Sequence, residues 1–113
     1  MKKTITAEQV LNYAHVSQDH AAIHVSTEAA KQAGFERPIV HGMYLMGLAQ
    51  SLYIKENPLK WIFRYSMRFQ QPLLIDEEVT FRFVEKHNTI EVMILSNNDK
   101  IALGYFEVKE LEI

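Results

Sequence analysis

Residues Gln18 to Leu52 read QDHAAIHVSTEAAKQAGFERPIVHGMYLMGLAQSL, and the rest of the chain is arranged around them. Asp19 and His24 open the stretch. A short helical run follows, capped by Ser26 and stopped by Gly34, and Pro38 disfavours helix at Arg37 and sets a new direction. After His41-Gly42 a helix is expected from about Gly42 to Lys55. Leu45, Leu48, Ala49 and Leu52 make one stripe, and Met43, Tyr44, Met46 and Gly47 fill its flanks. Only Gln50 and Ser51 are polar before the end, so the pattern predicts burial on most sides. Gly47 costs such a helix about 1 kcal/mol relative to alanine, which predicts a close approach by a neighbouring backbone. The stretch reads as a reactive loop mounted on a buried helix.

Before it, Thr6 and Gln9 form a capping box that opens a helix through about Tyr13, and a loop is expected from Ser17 to Ile23. After it, Asn57-Pro58 ends the long helix and the period changes. Trp61, Phe63, Tyr65, Met67 and Phe69 alternate with polar residues, which predicts a half-buried strand with those five facing inward. Past Pro72, Val79, Phe81 and Phe83 alternate in the same way. His87-Asn88 and Asn97-Asn98-Asp99 read as turns leading into Ile90 to Ile94 and Ile101 to Val108. Four strands result, with a short extended entry at residues 2 to 5. One apolar helix followed by an antiparallel sheet is an α+β pattern.

The chain has 113 residues, enough for one domain with one core. Its 48% apolar and 23% charged residues are those of a folded globular protein. A net charge of -2 gives no electrostatic case for binding nucleic acid or an acidic membrane. The absence of cysteine excludes disulfides and thiolate chemistry, and it suits a cytoplasmic location. Lys2-Lys3 is followed by no apolar run of secretory or membrane-spanning type, so neither a signal nor a membrane segment is expected.

Asp19 and His24 are the first candidates for chemistry. Five positions on a helix would set them about 140° apart, so they converge only if the segment bends. A carboxylate and an imidazole held on one water can take a proton from it and deliver one to a neighbouring carbon, as hydration of a conjugated double bond requires. The competing structural reading has Asp19 capping a turn and His24 as an ordinary half-buried histidine. Gly42 opens the long helix, where free backbone N–H groups and a partial positive charge can stabilise an enolate oxygen. His41 beside it reads either as a substrate neighbour or as a substitute N-cap. His20 is a third titrating group of the loop or a solvated one. Lys31, Arg37, Arg64 and Arg68 are candidate phosphate contacts. No metal-ligand spacing is present, and no metal or cofactor is expected.

The order Asp19, His24, Ala29-Ala30 and Pro38-Ile39-Val40-His41-Gly42-Met43 resembles the signature of the MaoC-like, R-specific enoyl-CoA hydratase family. That resemblance covers nearly the whole chain and implies one MaoC-like hot-dog domain over residues 1–113, an antiparallel sheet wrapped around a long central apolar helix. It implies a hydratase or dehydratase of fatty-acid metabolism acting on 2-enoyl or 3-hydroxyacyl thioesters of coenzyme A or acyl carrier protein. In it Asp19 and His24 form the acid/base pair, and His41, Gly42 and Met43 lie beside the substrate. It also implies a homodimer whose sheets pair edge to edge, with the acyl tunnel between subunits. Where the family reads Gly-Asp-x-Asn-Pro-x-His, this chain reads Gln18-Asp19-His20-Ala21-Ala22-Ile23-His24, and Ile75 stands where the family often has Gly. Those departures motivate an alternative, a non-catalytic thioester-binding or partner subunit, and a thioesterase on the same fold is a third option.

Overall fold

Thr6 caps the first helix as its spacing to Gln9 predicts. Its hydroxyl accepts from the Gln9 amide at 3.2 Å, and the Gln9 side chain accepts from the Thr6 amide at 2.9 Å, which satisfies two orphan donors reciprocally. The computed structural model describes residues 1–112. In chain order the elements are β1 (Lys2–Thr4), α1 (Ala7–Ser17), α2 (Ala22–Val25), α3 (Thr27–Gln32), α4 (Gly42–Glu56), β2 (Lys60–Phe69), β3 (Glu78–Lys86), β4 (Thr89–Ser96) and β5 (Asp99–Glu110). Helix α1 outruns the expected end at Tyr13 because Val10 and Ala14 both bury their side chains on one face. It stops at Gln18, whose φ of 61° and ψ of 22° are left-handed. The expected Ser17 to Ile23 loop is shorter than predicted, since Ala22–Val25 winds into α2.

The sheet is antiparallel throughout, in the order β1-β3-β4-β5-β2. Strands β3, β4 and β5 form the expected meander. Asn97 and Asn98 both have positive φ, which matches the twist of a tight two-residue hairpin turn. The inner face carries Val79, Phe81, Ile90, Val92, Ile94 and Phe106, all buried. Against it lies α4, with Leu45, Ala49 and Tyr53 buried on one stripe. The shortest dimension of the molecule is 20 Å, which accommodates two layers, helix on sheet. This is the predicted α+β arrangement.

Two predicted details are corrected. The sheet covers one stripe of α4 and does not bury the helix on most sides: Met43 is 66% exposed, and Gly47, Gln50 and Ser51 are exposed too. Gly47 has open space where its Cβ would be, so the predicted close backbone approach is absent among the described residues. In β2 the inward set is Ile62, Tyr65 and Met67, whereas Trp61 and Phe63 are 53% and 52% exposed. The pairing with β5 shifts between Ile62 and Arg64, leaving Phe63 as an extra residue. One extra residue in a strand of period two sends everything before it to the opposite face.

Candidate active site

Residues 38 to 40 form a short extended segment fixed on both sides, and it positions the site. Ile39 N–H donates to the Ile23 carbonyl at 3.0 Å, Val40 N–H to Leu73 O at 2.8 Å, and Ile75 N–H to Pro38 O at 3.0 Å. These bonds bring α2 alongside the start of α4. His24, in the last turn of α2, donates from Nδ1 to the Ile39 carbonyl at 2.7 Å. A carbonyl only accepts, so Nδ1 carries the proton and Nε2 is the nitrogen left for chemistry.

Asp19 bends the chain between α1 and α2. Its Oδ1 accepts from Ala21 N–H at 3.2 Å, and its own N–H donates to Ser17 Oγ at 3.2 Å. The structural role set against catalysis, a turn-capping aspartate, is therefore real. It is also what brings Asp19 round to His24. Asp19, His24 and His41 each contribute a side-chain atom to a cluster in which these atoms lie within 4.8 Å of one another. The three are potential metal ligands by type, but two imidazoles stacked face to face, with centroids 3.8 Å apart and planes at 19°, hold their ring nitrogens in near-parallel planes rather than aimed at one point.

A cavity of about 320 Å³ opens beside this cluster. His24, Gly42 and Leu45 line it from the helical side, and Phe69, Gln70 and Gln71 from the end of β2. Gly42 occupies the first helical position of α4, where a backbone N–H has no intrahelical acceptor. A Cβ added there would lie 3.2 Å from Phe69 Cζ, so glycine is what allows the aromatic ring to sit against the helix start. Gln70 and Gln71 hold their places by donating backbone N–H to the Ile101 carbonyl, at 2.8 and 3.3 Å.

The predicted residues are not all gathered there. His24 and Gly42 line the cavity, whereas Asp19 does not line it and is joined to it through its side-chain cluster with His24. His41 is only 2% exposed and does not line the cavity; it stands at the N-cap position of α4, but its side chain makes no capping bond there. Met43 lies on the outer side of α4 and also stays off the cavity wall. His20 is exposed, with its ring edge-on to His15 at 5.2 Å. Arg37 is committed to Ile75 O and Glu77, and Arg64 to Glu107. Among the described residues this leaves Lys31 and Arg68 without an ion pair. Phe69, Gln70 and Gln71 had no functional signal in the sequence. The strand period placed Phe69 in the inward set, and only the fold brings it over Gly42.

The sequence profile described as the MaoC like domain matches residues 1–100. An (R)-specific enoyl-CoA hydratase of Aeromonas caviae is 34% identical over 104 residues, which cover 90% of this chain and 72% of that protein. A mitochondrial 3-hydroxyacyl-[acyl-carrier-protein] dehydratase of Arabidopsis thaliana is 30% identical over 77 residues, 68% of this chain but only 46% of that enzyme. Among solved structures, the (R)-hydratase from A. caviae involved in PHA biosynthesis superimposes with a TM-score of 0.86 at 26% identity, over 99% of this chain and 92% of that one. Among the described residues, no helix is long and apolar enough to cross a membrane.

Proposed function

Because this chain belongs to the MaoC-like domain family and has the hot-dog fold, we propose that it adds water reversibly to a 2-enoyl thioester, giving the 3-hydroxyacyl thioester of coenzyme A or acyl carrier protein. The observation that carries this reading is the place of His24, which shares a side-chain cluster with Asp19 and His41 and lines one cavity with Gly42. Water sits between Asp19 and His24. Asp19 takes its proton as the oxygen bonds to the β-carbon, and the electrons of the double bond move onto the thioester oxygen. That oxygen faces the backbone N–H of Gly42, where the positive end of α4 favours developing negative charge. In this step His24 enters as the imidazolium, with its Nδ1 proton held by the Ile39 carbonyl and a second proton on Nε2. Delivery of the Nε2 proton to the α-carbon completes the addition and leaves the neutral ring, and transfer of the proton from Asp19 to Nε2 restores the starting pair. The acyl chain and thioester occupy the apolar wall formed by Leu45 and Phe69.

The test follows the loss of enoyl-thioester ultraviolet absorbance across short to medium acyl chains, for native protein and Asp19→Asn. Asp19→Asn should lower kcat by about a hundredfold to ten-thousandfold with the fold retained. Full turnover by the variant would remove Asp19 from the mechanism. A second reading rests on the loop, where Ala21 leaves α2 without a side-chain cap and Gln18 adopts a left-handed backbone. In it the chain binds the thioester, or supports a partner subunit, without turning it over. Saturable binding of enoyl thioester by a folded protein that leaves its absorbance unchanged would favour that reading.

A further inference from the structure

We infer that His41 is a positioning residue that holds Asp19 and His24 in register and makes no contact with substrate. The inference rests on the hydratase reading for its consequence and on geometry for its content. His41 donates from Nε2 to the backbone carbonyl of Asp19 at 3.0 Å. Among the described residues this is the one hydrogen bond that ties residues 18–22 to a distant part of the chain, since every other bond there is local. Its ring stacks on His24 at 3.8 Å. Behind it Tyr13 packs edge-on at 4.8 Å, and Tyr13 in turn stacks on Tyr44 at 4.9 Å. A column of four rings thus runs from α1 and α4 to the reactive imidazole, with His41 as the member that touches both halves of the pair.

The other nitrogen shows what the residue is for. His41 Nδ1 is the one buried side-chain polar atom without a partner among the described residues. An unpaired buried acceptor is unfavourable, and a phenylalanine would fill the same space without it. The imidazole is therefore justified by what Nε2–H does. Asp19 itself is exposed, on a turn between a left-handed residue and an uncapped one. A carboxylate so placed needs an anchor to stay beside His24, because misplacement of a reacting group by about 1 Å costs on the order of a hundredfold in rate.

Two variants separate the hydrogen bond from the stack. His41→Phe keeps an aromatic ring on His24 and loses the donor. His41→Gln loses the ring and keeps an N–H of similar reach. For hydration of a short enoyl thioester, His41→Phe should lower kcat about a hundredfold with KM within about threefold of native, and His41→Gln should recover at least about tenfold of that loss. His41→Phe turning over within about threefold of native overturns the inference, as does a loss confined to KM, which would mark substrate contact. Hydrogen exchange at the Ala21 amide, which the Asp19 carboxylate holds, gives a readout independent of activity. It should speed up about tenfold or more in His41→Phe and stay near native in His41→Gln. If native protein hydrates nothing, the hydratase reading fails, and the exchange result still decides the role of His41. If His41→Phe does not fold, His41→Leu carries the same expectations and the same overturning outcomes.

Discussion

Gln18 adopts the backbone that glycine would, without being glycine. Helix α1 ends at Ser17 and the chain must reverse to bring Asp19 toward His24, so residue 18 takes a left-handed conformation whatever its side chain. For a non-glycine residue that conformation costs on the order of 1 kcal/mol or more. Gln18→Gly should therefore raise the unfolding midpoint by roughly 4–8 °C for each kcal/mol recovered, read by calorimetry at fixed protein concentration. An unchanged or lower midpoint would mean that the glutamine side chain earns its place through contacts that offset the strain. The sequence made the missing glycine visible but not the need for it. Asp19 and His24 were legible because two chemically distinct residues stood at a set distance from the Pro38 to Met43 run. The structural part of His41 was not, because a stack between rings distant in sequence leaves no periodic trace.

Among the elements, α2 is the least secure and the one that carries His24. Its N-cap is Ala21, which has no side-chain acceptor, and its first helical residue is Ala22. Ala21 has φ -52° and ψ 133°, a conformation that both an asparagine cap and a residue preceding proline tolerate. Ala21→Asn should stabilise the protein by about 1 kcal/mol, seen as a shift of the urea midpoint at constant slope. No shift would show that water already satisfies the first amides of α2. This helix was hidden in the sequence because one turn leaves no period to detect, whereas α4 and the β3–β5 meander were legible from repeats several residues long. The contact between β2 and α4 gives a second test. Tyr65 donates its hydroxyl to the Met46 carbonyl at 2.8 Å, and burial pushes its pKa well above the ordinary 10.0. In the unfolded chain it titrates near that ordinary value. Above it the unfolded state holds fewer protons than the folded one, so stability must fall as pH rises. Tyr53, also raised by burial, acts in the same direction. Urea midpoints measured from about pH 8 to about pH 11 should decline less steeply in Tyr65→Phe, which should also lose about 1 kcal/mol at neutral pH with its hydrogen bond. An equally steep decline would assign the alkaline loss to other groups.

At the scale of the molecule the two edges of the sheet differ. One ends in β1, three residues long, and the other in β2, ten residues long with its outer side unpaired among the described residues. A long edge carrying exposed Trp61 and Phe63 is a template for another strand. The strand period assigned both aromatics to the core, and the error came from the bulge at Phe63, which no alternation of residue types reveals. Corrected, the same two residues become the reason to expect that two copies pair through β2. Phe69, Gln70 and Gln71 lie at the end of that strand and line the cavity, so such pairing would bring the second copy close to the site. Light scattering at micromolar concentration should therefore give twice the chain mass of 13.2 kDa. Phe63→Lys and Trp61→Lys, which place a charge on the edge without emptying the core, should return it to one chain mass. A native monomer would remove the pairing, and variants that stay dimeric would move the interface elsewhere, with the exposed side of α4 around Met43 and Gly47 as the other apolar face to test. If the lysine variants are folded monomers that also lose turnover, the second copy completes the cavity; if they keep it, each chain holds a whole site.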